Sequence, residues 1–329
     1  MFKIGNITIK SKAMLSPMAG VTDLPYRLIN RSFGCEFAFT EMISARSLHN
    51  GLHKTRLKLS CDKDDRPLGI QLLGWDTKYL LSAQSCLEDH PYDILDINAA
   101  CPARKVISGG GGAALMKEPG KIYNLIKALV KNTDRPVTLK IRTGWSSDSI
   151  NAPEVALRAQ DAGAKAVFIH GRTKEQGYSG EVDYDTISKV KRSLDIPVIG
   201  SGDIFNPQQA KKMLDTTSCD GILVARGSYG NPWIFSHIDS YLEKGELPDL
   251  PQAEKVADII LLHLDRVMDL YGEKQGILIY RKVFVFYTKS FCGIKQLRRR
   301  VFHITQVEDL KEIIKEFRDT AQRNTVQCQ

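Results

Sequence analysis

Eight short β-rich apolar runs recur along the first 228 residues, each followed by a stretch with helical spacing or turn residues. They are "AMLSPMAG" (13–20), "CEFAFTEM" (35–42), "LGIQLLG" (68–74), "YDILDINAA" (92–100), "PVTLKIRTG" (136–144), "AVFIHGRT" (166–173), "IPVIGSGDI" (196–204) and "GILVARGS" (221–228). Runs that are apolar on both faces suit a parallel sheet covered by helices, since a sheet with one wet face would alternate. The spacers carry helix punctuation. In "APEVALRAQDAGA" (152–164), Pro153 sits near the start, where a missing N–H costs nothing, and Gly163 sits where a left-handed cap is needed. Strand and helix repeated eight times over roughly 230 residues predict a closed (β/α)₈ TIM barrel, an α/β fold. A doubly wound sheet is the structural alternative, but it would usually need fewer strands and no closure.

After Trp233 the pattern changes. "LEKGELPDLPQ" (242–252) contains two prolines and reads as a linker, and beyond it the strand signals stop. Val256, Ile259, Ile260, Leu264, Val267 and Leu270 fall near helical spacing, as do Leu310, Ile313, Ile314 and Phe317. The expected division is a barrel over 1–244 and a small all-helical C-terminal domain over 245–329.

Composition bounds the setting. Hydrophobic content of 43% with 26% charged residues is that of a soluble globular chain. The longest apolar stretches, such as "IILLHL" (259–264), are far shorter than the ~20 residues that span a bilayer, and "MFKIGNITIKSK" lacks the apolar core of a secretory signal. No membrane association is therefore expected. The cysteines (35, 61, 86, 101, 219, 292, 328) are odd in number and scattered, with no Cys-x-x-Cys pair. Neither a disulfide framework nor a metal cage is indicated, so the expectation is a reducing, cytoplasmic setting and no metal. The net charge of +8 favours a polyanionic partner.

In such barrels catalytic groups gather at the carboxyl ends of the strands, because the loops leading into the helices build that rim. Here the first strand ends in "SPMAG" (16–20), the third carries Gln71, and the fourth carries Asn98 with Cys101 just beyond. The fifth holds Lys140 and Arg142, the sixth His170 and Arg172, the seventh "GSGD" (200–203) and the eighth "ARGSYG" (225–230). Singly, each has an ordinary structural role: a strand lysine as ion-pair partner, a histidine satisfied in the core, glycines in a turn, a cysteine as a small buried hydrophobe. Their joint placement on one rim points to a site. Loops after the seventh and eighth strands commonly bind phosphate through backbone N–H groups. Ser201–Asp203 and Ala225–Gly227 supply small residues there, and Arg226 adds charge, so a phosphorylated cofactor or substrate is the natural occupant. "DINAACPARKVISGGGGAAL" (96–115) sets a lone cysteine before four glycines, which is either a reactive thiol on a loop that moves or a rigid turn.

"LSPMAGVTDLPYR" (15–27), "INAACPARKV" (97–106), "LKIRTGW" (139–145), "IHGRT" (169–173), "GSGDI" (200–204) and "ARGSYGNPWIF" (225–235) resemble the flavin-dependent tRNA-dihydrouridine synthases, the bacterial B-type branch in particular. The resemblance spans the barrel and extends weakly into the tail. It implies FMN, NADPH or NADH as reductant, and reduction of the C5=C6 bond of a tRNA uridine, with a D-loop position expected. It implies that Pro17, Met18 and Ala19 pack on the flavin ring, Gln71 bonds its polar edge, Lys140 sits near N1 and O2, and His170 lies close to the flavin and the incoming base. Ser201, Gly202, Asp203, Ala225 and Arg226 would hold the phosphate, and Asn98 and Arg172 would orient the uracil. Hydride would pass from the flavin N5 to C6 and a proton from Cys101 to C5. That role needs a thiol, and a free cysteine with pKa ~8.5 is mostly thiol at neutral pH. Glycines 109–112 would let the Cys101 loop close over tRNA.

This chain departs from the family pattern at Ala100 for Gly, Ser201 for Asn, Ala225 for Gly and Val283 for His. The first three keep small residues and backbone donors; the last bears on tRNA docking. A base inside folded tRNA must leave its stack, which calls for broad RNA contact. Lys282, Lys289, Lys295, Arg298, Arg299 and Arg300 in the tail, with "KVKR" (189–192) on the barrel, are the expected phosphate contacts. A monomer is expected. Two other classes stay open at this point: a Schiff-base aldolase using Lys140 and a non-catalytic RNA-binding protein. A small-molecule flavin reductase is chemically close, but the basic tail argues against it.

Overall fold

All eight expected strands form, in the expected order, and they close. The computed structural model describes residues 1–325; Cys328 and the end of the 245–329 segment lie outside the described residues. An N-terminal hairpin, β1 (Phe2–Ile4) with β2 (Ile7–Ile9), precedes the barrel. The barrel strands are β3 (Ala13–Leu15), β4 (Ala38–Ser44), β5 (Leu68–Leu73), β6 (Ile94–Asn98), β7 (Val137–Arg142), β8 (Val167–His170), β9 (Val198–Ser201) and β10 (Gly221–Val224). Each pairs in parallel with its neighbours in chain order, and β10 returns to β3 through Ile222 opposite Ala13, which excludes the open sheet.

The helix Ala152–Asp161 has Pro153 in its first turn, and Gly163 takes φ +101° just past its end, as its punctuation predicts. Between barrel and helices lies a core that includes Leu15, Ile70, Leu72, Leu95, Ile97, Leu139, Ile141, Val167, Ile169 and Val224, all buried. The alternate residues of the same strands point inward, as the two-residue strand period requires. At the amino-terminal end of the barrel they are apolar: Met14, Phe39, Ile94, Phe168, Ile199 and Leu223. Ile4 and Ile9 of the hairpin join this cluster and stopper that end. The hairpin has no counterpart among the sequence expectations, because its strands are only three residues long.

The C-terminal part is helical, as expected. A long helix, Ala253–Thr288, breaks at Gly272 (φ 71°, ψ 167°), the residue where the periodic stretch ends. Lys295–Arg300 and Val307–Thr325 follow. Their core includes Val256, Ile260, Leu264, Val267, Tyr280, Phe284, Leu310, Ile313 and Phe317, with Ile29 contributed from the barrel side. Val283 packs in this core, so its departure from the family's histidine is an interior change and not one at the surface. Contacts that fasten the helices to the carboxyl-terminal rim of the barrel include Lys282 Nζ, which donates to Gly20 O at 2.7 Å, and Phe286, which stacks on Tyr229 at 4.3 Å.

Candidate active site

Two residues further along each strand, the inward positions change character. Met14 gives way to Ser16, Ile94 to Asp96 and then Asn98, Phe168 to His170, Ile199 to Ser201, and Leu223 to Ala225; Thr138 is followed by Lys140 and Arg142. The strand period thus stacks a polar layer on an apolar one, and the polar layer faces the mouth. Above it opens a cavity of ≈ 370 Å³, and its walls include Pro17, Met18, Ala19, Gln71, Asn98, Cys101, Lys140, His170, Ser201, Gly202, Asp203, Ala225 and Arg226. These residues come from seven different strand ends.

Local bonds shape each wall. Thr22 Oγ1 accepts from Met18 N at 3.0 Å and donates to Met18 O, which folds the 17–22 turn back over the mouth. Asn98 Oδ1 accepts from Cys101 N at 2.8 Å and Ala100 N at 3.1 Å, so the chain after β6 turns tightly and Cys101 stands partly exposed at the cavity. Asn98 Nδ2 in turn donates to Gln71 Oε1 at 2.7 Å. Arg142, buried, donates from Nε to Ala100 O at 2.7 Å and from Nη1 to Thr173 O and Gly177 O, both at 2.9 Å. It therefore ties the Cys101 turn to the loop that carries Tyr178, whose ring lies 6.2 Å from that of His170.

Burial sets the electrostatics. The Lys140 ammonium is pushed down from 10.5 to about 8 by desolvation, with Arg142 adding repulsion and Asp96 opposing it. It is still mostly charged at neutral pH, and among the described residues its Nζ has no hydrogen-bond acceptor. His170 is held well below its ordinary range by burial and by the cations Arg142, Lys140, Arg172 and Arg226, so it enters the site neutral. At the far end, Asp203 takes a left-handed backbone (φ +48°) beside Gly202 (φ +135°). Its carboxylate turns away onto Arg172 and Arg226, whose guanidinium groups hold it below the usual carboxylate range. The N–H groups of Gly202, Asp203, Arg226 and Gly227 find no partner among the backbone bonds of the described residues. Together these groups fit a flat, largely apolar ring system with an electron-accepting edge at Lys140 and Gln71 and an anionic end at Arg226.

Three expectations meet a different geometry. Arg172 does not line the cavity: it is 2% exposed, bound to Ser179 O, Gly180 O and Asp203, and acts on the cavity only through Asp203. Two of the glycines leading into the 3₁₀ helix Gly112–Lys117 are closely packed: a methyl on Gly109 or Gly111 would come within 2.7 or 2.5 Å of the Trp75 indole. Gly112, at φ +56°, would place one 2.5 Å from Cys101 O. The run is what close packing against Trp75 and the Cys101 turn demands. On the barrel's "KVKR" patch, Lys189 pairs with Asp185 and Lys191 with Asp220, so little free charge remains. Arg298, Arg299 and Arg300 lie on the helical part away from the cavity walls, and Arg300 is bound to Glu316. The sequence patterns passed over Tyr178, which no strand run contains, and the role of Arg142 as a clamp.

A model of the family described as Dihydrouridine synthase (Dus) matches residues 14–325. The chain is 39% identical over 318 residues to a "Probable tRNA-dihydrouridine synthase" of Rickettsia bellii, covering 96% of this chain and 98% of that one. It is 37% identical over 323 residues to "tRNA-dihydrouridine synthase B" of Pseudomonas aeruginosa, covering 98% and 97%. Among solved structures, histamine dehydrogenase from Rhizobium sp. 4-9 aligns over 85% of this chain and 50% of that one, with a TM-score of 0.54 and 13% identity, a likeness of fold.

Proposed function

This chain belongs to the dihydrouridine synthase family, and on that premise we propose that it reduces the C5=C6 bond of uridine in tRNA to 5,6-dihydrouridine, using FMN held in the barrel mouth. The observation that carries this reading is the convergence of a partly exposed thiol, Cys101, with Lys140, Gln71 and His170 on one cavity that ends in an anion cradle. Bound there, FMN would supply the hydride for C6 of the uracil and be re-reduced by NADPH or NADH.

The residues' own tasks follow from their placement. Pro17, Met18 and Ala19 offer the apolar wall for the ring. Gln71 meets its polar edge, and Lys140 puts positive charge where electrons accumulate. Arg226 and the N–H groups of Gly202 and Asp203 take the phosphate, with Ser201 and Ala225 keeping the backbone approach open; Asp203's carboxylate is kept off it by Arg172. The Cys101 Sγ–H gives its proton to C5 as the new C–H bond forms at C6, and the thiolate left behind regains a proton from solvent. Asn98 bonds the Cys101 N–H and so sets where Sγ points. His170, being neutral, can give or take a hydrogen bond with the base.

The division of labour extends this reading. The barrel, 1–244, is the catalytic part, and the helical segment from 245 binds tRNA through Lys282, Lys289, Lys295 and Arg298–Arg300. Purified protein titrated with FMN is expected to bind it and to convert tRNA uridine, scored as dihydrouridine by mass spectrometry. Cys101→Ala should keep FMN and lose activity by about 10²–10⁴-fold. A chain that takes up no FMN on reconstitution refutes the proposal.

A further inference from the structure

Beneath the cavity, the two amides of Gln71 and Asn98 are joined to a buried carboxylate that no strand-end pattern singles out. Asp96 is fully buried, two residues before Asn98 on the inward face of β6. Its Oδ2 accepts from Gln71 Nε2 at 2.7 Å, and its Oδ1 accepts from Thr138 Oγ1 at 2.6 Å. Gln71 Oε1 accepts from Asn98 Nδ2 at 2.7 Å, and Asn98 Oδ1 accepts from the N–H groups of Ala100 and Cys101. An ionised carboxylate only accepts, whereas an amide has one accepting and one donating end. Asp96 at one end and the backbone N–H groups of Ala100 and Cys101 at the other therefore set one sense for the chain. Gln71 must turn its NH₂ downward, its oxygen is taken by Asn98, and Asn98 must turn its oxygen to the Cys101 turn.

We infer that Asp96 is a positioning residue that orients both amides, so that Gln71 presents an N–H donor to the cavity and Asn98 anchors the Cys101 turn by its oxygen. One consequence is intrinsic to the protein: the seat of the thiol depends on a residue it does not touch. The other rests on the proposed function. With its oxygen and one N–H engaged, Gln71 has a single N–H left for the cofactor and selects an acceptor at the ring edge. Each hydrogen bond along Asp96–Gln71–Asn98–Cys101 joins a donor to an acceptor, and a buried acceptor left without its donor would be costly.

The test uses the full chain without cofactor and follows iodoacetamide alkylation of Cys101 by peptide mass spectrometry, with exposed Cys86 as internal reference. Asp96→Leu removes the acceptor and is expected to speed Cys101 alkylation about fivefold, the ratio of one net hydrogen bond, with Cys86 unchanged. Asp96→Asn should restore a near wild-type rate, because its oxygen can still accept from Gln71 while its NH₂ turns to the Thr138 hydroxyl. Gln71→Met cuts the chain at its middle and should act like Asp96→Leu, which keeps the test open if the leucine variant does not fold. Folded Asp96→Leu or Gln71→Met protein with wild-type Cys101 reactivity overturns the inference. In an FMN titration, Asp96→Leu should weaken binding about tenfold and Asp96→Asn much less. Wild-type protein that binds no FMN would remove the proposed function while leaving the alkylation result to stand or fall alone.

Discussion

At Lys140 the requirements of stability and of function oppose each other. Its folded pKa of about 8 lies below the 10.5 of an unfolded chain, so between these values the folded protein binds fewer protons than the unfolded one. On account of this group, stability rises with pH across that window, and the full penalty applies below it. Lys140→Met is therefore expected to stabilise the cofactor-free protein at pH 7, by about 2 kcal/mol once the lost attraction to Asp96 is allowed for, with the gain shrinking toward pH 10. Thermal melts at the two pH values check this, and FMN affinity should fall in the same variant. Asp96 runs the other way: burial pushes its carboxyl up to about 6, so its contribution to stability falls as pH rises from about 4 to 6. The residue types of the site were legible in the strand ends, where Gln71, Asn98, Cys101, Lys140 and His170 stand together on the cavity as expected. Hidden from the sequence were the pairings. Nothing in "GRT" tells that the Arg172 guanidinium turns behind the wall to hold Asp203. Nor does "DIN" tell that its aspartate bonds a glutamine on the neighbouring strand, since register across a parallel sheet is set by packing.

Among the elements, the turn from Cys101 to the 3₁₀ helix at Gly112–Lys117 deserves the closest test. Its glycines read equally as freedom to move or as room for a neighbour, and Trp75 is that neighbour. Gly111→Ala is expected to destabilise by about 1–3 kcal/mol, the usual cost of overpacking, and pairing it with Trp75→Val should recover part of the loss in urea denaturation. Equal loss in single and double variants would mean that the indole is not what the glycine accommodates. The barrel strands were legible because apolar runs between turn residues repeat with a regular spacing. The β1–β2 hairpin was not, since three-residue strands carry too little periodicity to stand out, and its role as a stopper exists only once the barrel closes above it. Likewise the apolar period from Val256 ends visibly at Gly272, but the helix resuming beyond it, with Tyr280, Val283 and Phe284 facing the same core, depends on partners such as Phe317.

Across the whole molecule, the helical part does two things at once: it carries the basic cluster and it fastens to the rim through Lys282 and Phe286. Reversing the charges of Arg298, Arg299 and Arg300 together is expected to lower tRNA affinity at least about tenfold near physiological salt and to flatten its salt dependence, while FMN content is unchanged. The exposed Arg300–Glu316 pair contributes little to stability, so folding should survive. Affinity that stays at the wild-type level at moderate salt would remove the tail from the interface. Phe286→Ala tests the second role: losing the stack on Tyr229, itself a cavity wall, should cost about 0.5–1.5 kcal/mol and weaken FMN binding along with tail docking, read by melts and titration. Apolar runs, turn residues and helix caps are local properties, and they were enough to specify eight strands, their order, the closure and the residue types on the mouth. Which side chains meet there is a matter of strand register and of partners far apart along the chain. Only the folded barrel could therefore reveal that Asp96 orients two amides, that Arg142 binds the Cys101 turn to the Tyr178 loop, and that Trp75 fills the space that Gly109, Gly110 and Gly111 leave.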